Sequence, residues 1–215
     1  MIRPPSSPLM PQHQITLRSP TGRLTLAPPS AEYDEQHARI RSHPMTRKYQ
    51  PQLPETCSTE DARVMRENRA AAGVLSFFVH MNNPDGSTTF VGTCGLHSIS
   101  EEDQSAGVGV GIAPDYHRGG VGTEALYTLL QFGFEDRQFH RIVFETGAEN
   151  EGMKGWLEKV AGVQQEFRMR KRWKTQSGGY MDVVGYALFQ DEWANTIKAR
   201  LESRLQKEGQ KYSAS

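Results

Sequence analysis

The run His117-Arg118-Gly119-Gly120-Val121-Gly122 puts three glycines within four positions, directly behind a histidine and an arginine. Glycine has no Cβ, so the chain can turn sharply there and a ligand can approach the backbone amides closely. Thr123-Glu124-Ala125 follows and opens a helix-forming run. A helix N-terminus offers unpaired N–H groups and a partial positive charge. The chemistry suited to such a stretch is the holding of a phosphate.

Three readings fit these residues. The first is a glycine-rich turn with no ligand. The second is dinucleotide binding, because Gly120 to Ala125 fits G-x-G-x-x-A and Glu145 closes the next apolar run, where a ribose-binding acid would sit. In that arrangement, however, the strand runs straight into the first glycine. Here Ala113 to Gly119 intervene, with Pro114 among them. The third is a cradle for the pyrophosphate of a coenzyme.

The elements around the loop follow from periodicity. "QITLRS" and "GRLTLAPP" alternate apolar and polar residues about Thr21-Gly22 and read as a hairpin. "AEYDEQHARIRSH" reads as a short helix and "PMTRKYQPQLPET", with its prolines, as a loop. Ser58 caps a helix over "TEDARVMRENRAAA" that Gly73 closes. "VLSFFVHM", "TTFVGTCGLHSI" and "AGVGVGI" are strands, the first two joined by the turn "NNPDGS". The helix "TEALYTLLQFGFEDR" buries Leu126, Leu129, Leu130 and Phe134 at three- and four-residue spacing. "RIVFET" is a strand and "EGMKGWLEKV" a shorter helix. "EFRMRKRWK" and "YMDVVGYALF" form a hairpin about Gly178-Gly179, and "QDEWANTIKARLESRL" is a final helix. In the first strand of that hairpin, alternation sets Arg168, Arg170 and Arg172 on one face, opposite Met169 and Trp173. Trp156 and Trp193 sit at helical positions among apolar neighbours and read as core. The order implies an α/β domain whose sheet is mostly antiparallel, not a doubly wound fold.

The chain of 215 residues suits one domain with tails. Expected boundaries are a flexible tail over 1–13, the domain over 14–195, and a C-terminal helix extension with a frayed tail over 196–215. Twenty-five Lys and Arg balance 25 Asp and Glu. That argues against nucleic acid or an anionic membrane as partner. Cys57 and Cys94 are too few for a disulfide framework, and the histidines and cysteines lack metal-ligand spacing. No apolar run is long enough to span a bilayer and the N-terminus has no secretory h-region, so a cytoplasmic protein is expected, as a monomer or homodimer.

The loop resembles that of the GNAT superfamily of acyl-CoA-dependent N-acetyltransferases, whose pattern is Gln/Arg-x-x-Gly-x-Gly/Ala at a helix start. "GVGVGIAPDYHRGGVGTEAL", "RIVFETGAEN" and "GGYMDVVGYALFQDEW" are similar to the branch that acetylates the N-termini of ribosomal proteins. The opening "ITLRSPTGRLTLAPPSAEYDE" fits as well, so the resemblance spans roughly residues 14 to 195. It implies a twisted, mostly antiparallel sheet flanked by helices, and direct transfer of an acetyl group from acetyl-CoA to a primary amine. The acceptor is a small molecule or a peptide N-terminus. It also implies that His117, Arg118, Gly119, Gly120, Val121, Gly122 and Thr123 hold the pyrophosphate. Gly111 and Ile112 pair with the pantetheine amides like an added strand, and an N–H near them serves the developing oxyanion. Asn150 bonds the pantetheine arm, caps the next helix, or does both.

The family pattern is not complete. His117 takes the Gln/Arg position, and Gly107 stands where many relatives place a glutamate base. Met153 stands where a serine often protonates the leaving thiolate, and Ala161-Gly162 replaces the usual Gly-Phe. No catalytic residue is assigned on the sequence; His97, Glu101, Glu102 and Asp103 lie nearest, and "EED" also reads as a solvated loop. Without an enzyme base, water or a distant acid such as Glu102 takes the proton, and amines of low pKa are favoured. At pH 7 an α-amine near pKa 8 is roughly a tenth neutral, a lysine below about one in a thousand. A module that binds acyl-CoA without transfer, and a nicotinamide-dependent oxidoreductase, are the alternatives.

Overall fold

The computed structural model describes residues 12–212. Of the tail expected over 1–13, residues 1–11 lie outside the described residues. His13 is docked: its Nε2 lies 2.6 Å from the Ser76 carbonyl and its ring packs on Phe77. Residues 213–215 of the expected frayed end also lie outside.

One eight-stranded sheet runs through the domain in the order β1-β2-β3-β4-β5-β6-β8-β7. Its strands are β1 (Leu17–Arg18), β2 (Leu24–Ala27), β3 (Leu75–Asn82), β4 (Thr88–Ser100), β5 (Ser105–Ile112), β6 (Arg141–Gly147), β7 (Gln165–Lys174) and β8 (Tyr180–Phe189). Every neighbouring pair is antiparallel except β5 and β6, which are parallel. That parallel step requires a crossover, supplied by helix α4 (Val121–Gln131).

Between β2 and β3 lie α1 (Asp34–Ser42), α2 (Pro44–Tyr49) and α3 (Thr59–Ala71). The segment after α1, expected to be a loop, therefore contains a helix. Pro44 is no obstacle at the first helical position, where an N–H would lack an intrahelical partner anyway. The His43 side chain accepts a hydrogen bond from the Met45 amide at 3.1 Å and so caps α2. Ser58 and Asp61 cap α3 reciprocally. Helix α5 (Glu151–Gly155) runs on as a π-helical turn over Trp156–Ala161. The last helix begins as α6 (Gln190–Glu192), widens into a π-helical turn over Trp193–Ile197, and continues as α7 (Lys198–Tyr212).

The core lies between the sheet and α4 with the C-terminal helix. Leu126, Leu129, Leu130 and Phe134 are buried, as their spacing predicts. Trp193 is buried against Phe134 and Tyr127, and its Nε1 donates to Glu135 Oε1 at 3.0 Å. Simple alternation fails in β7. Met169 pairs with Val183 and Trp173 with Met181, four residues against two, and Lys171 bulges out at φ +52°. The three arginines therefore do not form one regular face, and Arg168 pairs with Asp182 at 2.8 Å.

Because most of α4 is buried in this core, Leu129 completely, and the helix also carries the glycine loop at its N-terminus, Leu129→Ala is expected to destabilise the whole domain by about 2–5 kcal/mol. A denaturant titration followed by far-UV circular dichroism measures it.

Candidate active site

Strands β5 and β6 pair for only four residues, from Ser105 with Arg141 to Val108 with Phe144. Beyond that point β5 stays with β4, from Gly109 opposite Gly95 to Ile112 opposite Gly92. β6 stays with β8, from Glu145 opposite Gly185 to Gly147 opposite Val183. The two strands part, and a cavity of about 360 Å³ opens between and above them, lined by Val108 to Gly111 on one side and Phe144 to Thr146 on the other. The Ala113 amide donates to the Val91 carbonyl of β4 at 2.8 Å. Backbone groups alternate sides along a strand, so Val110 and Ile112 direct theirs into the gap, while Gly111 faces β4. Gly111 thus leaves room at the gap rather than presenting its backbone to it.

The glycine loop closes the wide end of this gap. Arg118 and Gly120 both have left-handed backbone, at φ +62° and +75°. Gly120 is the N-cap of α4, which leaves the first-turn amides without intrahelical partners. Val121 turns its side chain into the core, 3% exposed, so it can offer a ligand only its amide. Arg118 is exposed. The His117 ring folds back, with Nε2 2.9 Å from the Ile112 carbonyl, and ties the loop to the end of β5.

A buried ion pair fixes the loop from behind. The Glu124 side chain is 2% exposed and meets Arg23 Nη2 at 2.9 Å, with further hydrogen bonds from Arg23 Nε and Thr21 Oγ1. Arg23 Nη1 also donates to the Gly119 carbonyl at 3.1 Å. The Trp156 indole, half-buried where core was expected, donates to Thr123 Oγ1 at 3.2 Å and joins α5 to the same turn. Asn150 caps α5: its Oδ1 accepts from the Met153 amide at 3.1 Å and its Nδ2 donates to Thr146 Oγ1 at 2.9 Å. Asn150 lines the cavity with one amide hydrogen to spare.

The narrow end of the gap holds His97. Its ring fills the space beside Gly107, where a Cβ would stand 2.4 Å from His97 Cε1. A one-residue bulge in β4 between His97 and Ser100, opposite Gly107 and Ser105, sets the strand there. Burial, reinforced by the Arg69 guanidinium, pulls the imidazole below its ordinary 6.5, against the Val108 backbone and the Glu145 carboxylate. Glu101, Glu102 and Asp103 sit on the exposed turn beyond it, where Glu101 pairs with Arg137 at 2.7 Å and the Asp103 amide donates to Ser100 Oγ. Cys94 lies on the cavity wall, but burial pushes its thiol far above the usual range, which disfavours the thiolate. No group of three or more His, Cys, Asp or Glu among the described residues is arranged to hold a metal. No helix among them is long and apolar enough to cross a membrane.

Residues 23–163, about two thirds of the chain, match the family model of the acetyltransferase (GNAT) domain. The chain belongs to that family. It is 28% identical over 109 residues to the Bacillus subtilis (strain 168) protein named "Putative ribosomal N-acetyltransferase YdaF", covering 51% of this chain and 57% of that one. The chain spans a little over half the length of the curated relatives it matches. Among solved structures, Mycobacterium smegmatis RimJ in complex with CoA-disulfide superposes with a TM-score of 0.70 at 22% identity, covering 88% of this chain and 92% of that one. Spermidine N-acetyltransferase from Vibrio cholerae, in complex with CoA and spermine, superposes at 0.69 with 18% identity, covering 80% and 99%. These likenesses establish a GNAT fold and leave the dinucleotide fold without support.

The Arg23–Glu124 link could not be read from periodicity, because its partners are a hundred residues apart. Its one sequence signal is an acid set inside the apolar stripe of α4. Arg23→Met leaves Glu124 buried without a countercharge and is expected to cost about 3–5 kcal/mol in thermal or chemical unfolding. Glu124→Gln, which removes the charge and keeps an acceptor, should cost clearly less.

Proposed function

We propose that this chain is an acetyl-CoA-dependent N-acetyltransferase that passes the acetyl group directly to a primary amine. The observation that supports it best is the parting of β5 from β6 beneath a left-handed glycine loop. This leaves an open strand edge leading to a helix N-terminus, with room for an extended thiol arm. Residues 14–195 would form the transferase unit, with the remaining C-terminal helix an extension packed on it.

In this reading the amides of Arg118 to Thr123 hold the pyrophosphate, aided by the α4 dipole. Arg118 adds charge from the solvent side. Val110 and Ile112 bond the pantetheine amides, Gly111 leaves space for the arm, and the spare hydrogen of Asn150 reaches it from the opposite wall. Acetyl-CoA supplies the activated acyl group. Its binding does not require a nucleophilic protein thiol, in keeping with the disfavoured thiolate of Cys94.

The amine must lose a proton to attack. His97 takes it. The imidazole occupies the space beside Gly107, on the cavity wall, and is mostly neutral at pH 7 because its pKa is depressed. Glu102 is not on that wall. Met153 carries no proton for the leaving thiolate, so that proton comes from His97 itself or from water.

Turnover of acetyl-CoA against a panel of peptides and small amines, read as free thiol, tests the activity. Bound CoA with silence across the panel would favour a binding module. Gly120→Asp puts a carboxylate beside the proposed pyrophosphate at a left-handed position that costs about 1–2 kcal/mol. It is expected to weaken CoA binding by on the order of 100-fold, or about 2.8 kcal/mol, in a folded variant. Unchanged affinity would remove the cradle.

The pH profile tests His97. Protonation removes the base, so kcat/KM should fall as pH drops through the His97 pKa, below 6.5, at the same break for two acceptors of different pKa. His97→Gln should abolish the shared break and lower kcat by on the order of 100-fold. Profiles that follow only each acceptor's own titration would assign the proton to water.

A further inference from the structure

We infer that the acceptor carries an acidic group, a carboxylate or phosphate a few bonds from its amine, and that Arg41 and Arg69 bind it. This rests on the acetyl-transfer reading above for the identity of the cavity and of its reacting end. Both arginines line the cavity, Arg41 from α1 and Arg69 from α3. Neither has a carboxylate partner among the described residues. Arg69 Nε donates to the neutral Ser76 Oγ at 2.8 Å. Arg41 meets only the Cys57 thiol, and its Nε is buried with no hydrogen-bond partner.

Burial pulls both guanidiniums below their ordinary pKa, and Arg41 adds repulsion to Arg69. His37, also on the wall, feels both cations and is pulled down to about 4, chiefly by its own burial and against the opposing Asp34. Asp34 does not neutralise the pair, because Arg66 holds it at 2.9 Å. Glu145 lies on the β6 wall, where it acts on His97.

Buried charges in native proteins are normally paired, and buried polar atoms normally find partners. Seven buried side-chain polar atoms lack one among the described residues, and four of them, on His37, Arg41, Thr46 and Gln52, line this cavity. The Arg41 Nε donor, the Thr46 hydroxyl and the His37 Nδ1, which can each donate, are therefore gathered with the uncompensated charge in one place. The Gln52 Oε1 can only accept and calls for a donor such as the acceptor's amine or a water. A bound anion would satisfy those donors and the charge together.

The arginines serve the acceptor rather than the coenzyme phosphates because of where they stand. Ser76, which holds Arg69, is in register with Gly95, and Gly95 with Gly109. Ile112, where the glycine loop begins, is three residues further along β5, about 10 Å away. His97, opposite Gly107, is on the Arg69 side. An acceptor whose anion meets Arg41 and Arg69 can thus reach His97 with its amine, with Glu145 favouring the ammonium before the proton leaves. A polyamine would meet two bare cations at the same place.

The test uses matched acceptors: β-alanine against β-alaninamide, O-phosphoethanolamine against ethanolamine, and a short peptide beginning Ser-Asp against one beginning Ser-Asn, with spermidine as the cationic control. Thiol release gives kcat/KM for each, and calorimetric titration of O-phosphoethanolamine into the CoA-saturated protein gives binding without turnover. The acid of at least one pair should exceed its neutral partner at least about tenfold in kcat/KM. The two small pairs and the peptide pair decide between a free amino acid-like acceptor and an acidic peptide end. Arg69→Met and Arg41→Met should bring that ratio near one while CoA affinity stays unchanged, and Arg69→Lys should keep part of it. The Met variants should melt close to wild type, since each removes a half-buried charge that has no carboxylate partner.

Efficient transfer to neutral amines or spermidine with no gain for the acidic partners would overturn the anion site and leave the transferase reading standing. Silence with every acceptor, together with O-phosphoethanolamine binding that Arg69→Met abolishes, would keep the anion site and remove the transferase reading. Neither selective turnover nor binding of the phosphate compound would overturn the inference.

Discussion

Two parallel strands that separate must leave backbone groups facing a space with no neighbour to bond them. In this chain the β5–β6 ladder ends at Val108 and Phe144, and both strands continue only because each has an antiparallel partner on its other side. The cost of an open edge inside a domain is tolerable only if solvent or a ligand completes it. The site follows from that constraint. The gap sets the path of an extended ligand, α4 begins at its wide end, and His97 stands at its narrow end.

Parting strands would be of little use if the loop above them wandered. The Glu124 carboxylate, buried in the first turn of α4, holds Arg23 of the first hairpin, and Arg23 holds the Gly119 carbonyl. His117 binds the end of β5, and Trp156 binds Thr123. Three separate elements therefore fix one short turn. Its left-handed residues and free amides can be pre-organised before any ligand arrives, which lowers the ordering cost of binding.

The far end of the cavity is built on the opposite principle. There, α1 and α3 bring two guanidiniums and a neutral histidine to one wall without supplying acids to match. On the same helices Arg66, which also reaches the cavity wall, is neutralised by Asp34, and Arg63 by Glu60 and Glu67. On this wall Arg41 and Arg69 are thus left without a carboxylate where a substrate would lie. Gly107 completes the arrangement by giving its space to His97.

The sequence by itself determined much of the fold and the location of the loop. Turn glycines, the Ser58 cap, the apolar stripe of α4 and the alternation of β2 are local signals. Local sterics and burial enforce them wherever the rest of the chain lies. The glycine loop was legible for the same reason, since Gly120 needs its left-handed backbone within its own turn. Helix α2 was not, because Pro44 and the prolines that follow the helix masked a side-chain cap from His43. The regular arginine face expected in β7 was lost to a bulge set by pairing with β8. Only the tertiary structure decided that Glu124 meets Arg23, that His97 fills the place beside Gly107, and that Arg41 and Arg69 share a wall. Each joins residues far apart in the chain, and no local pattern records which distant side chain will share a buried space or what charge will be left without a partner.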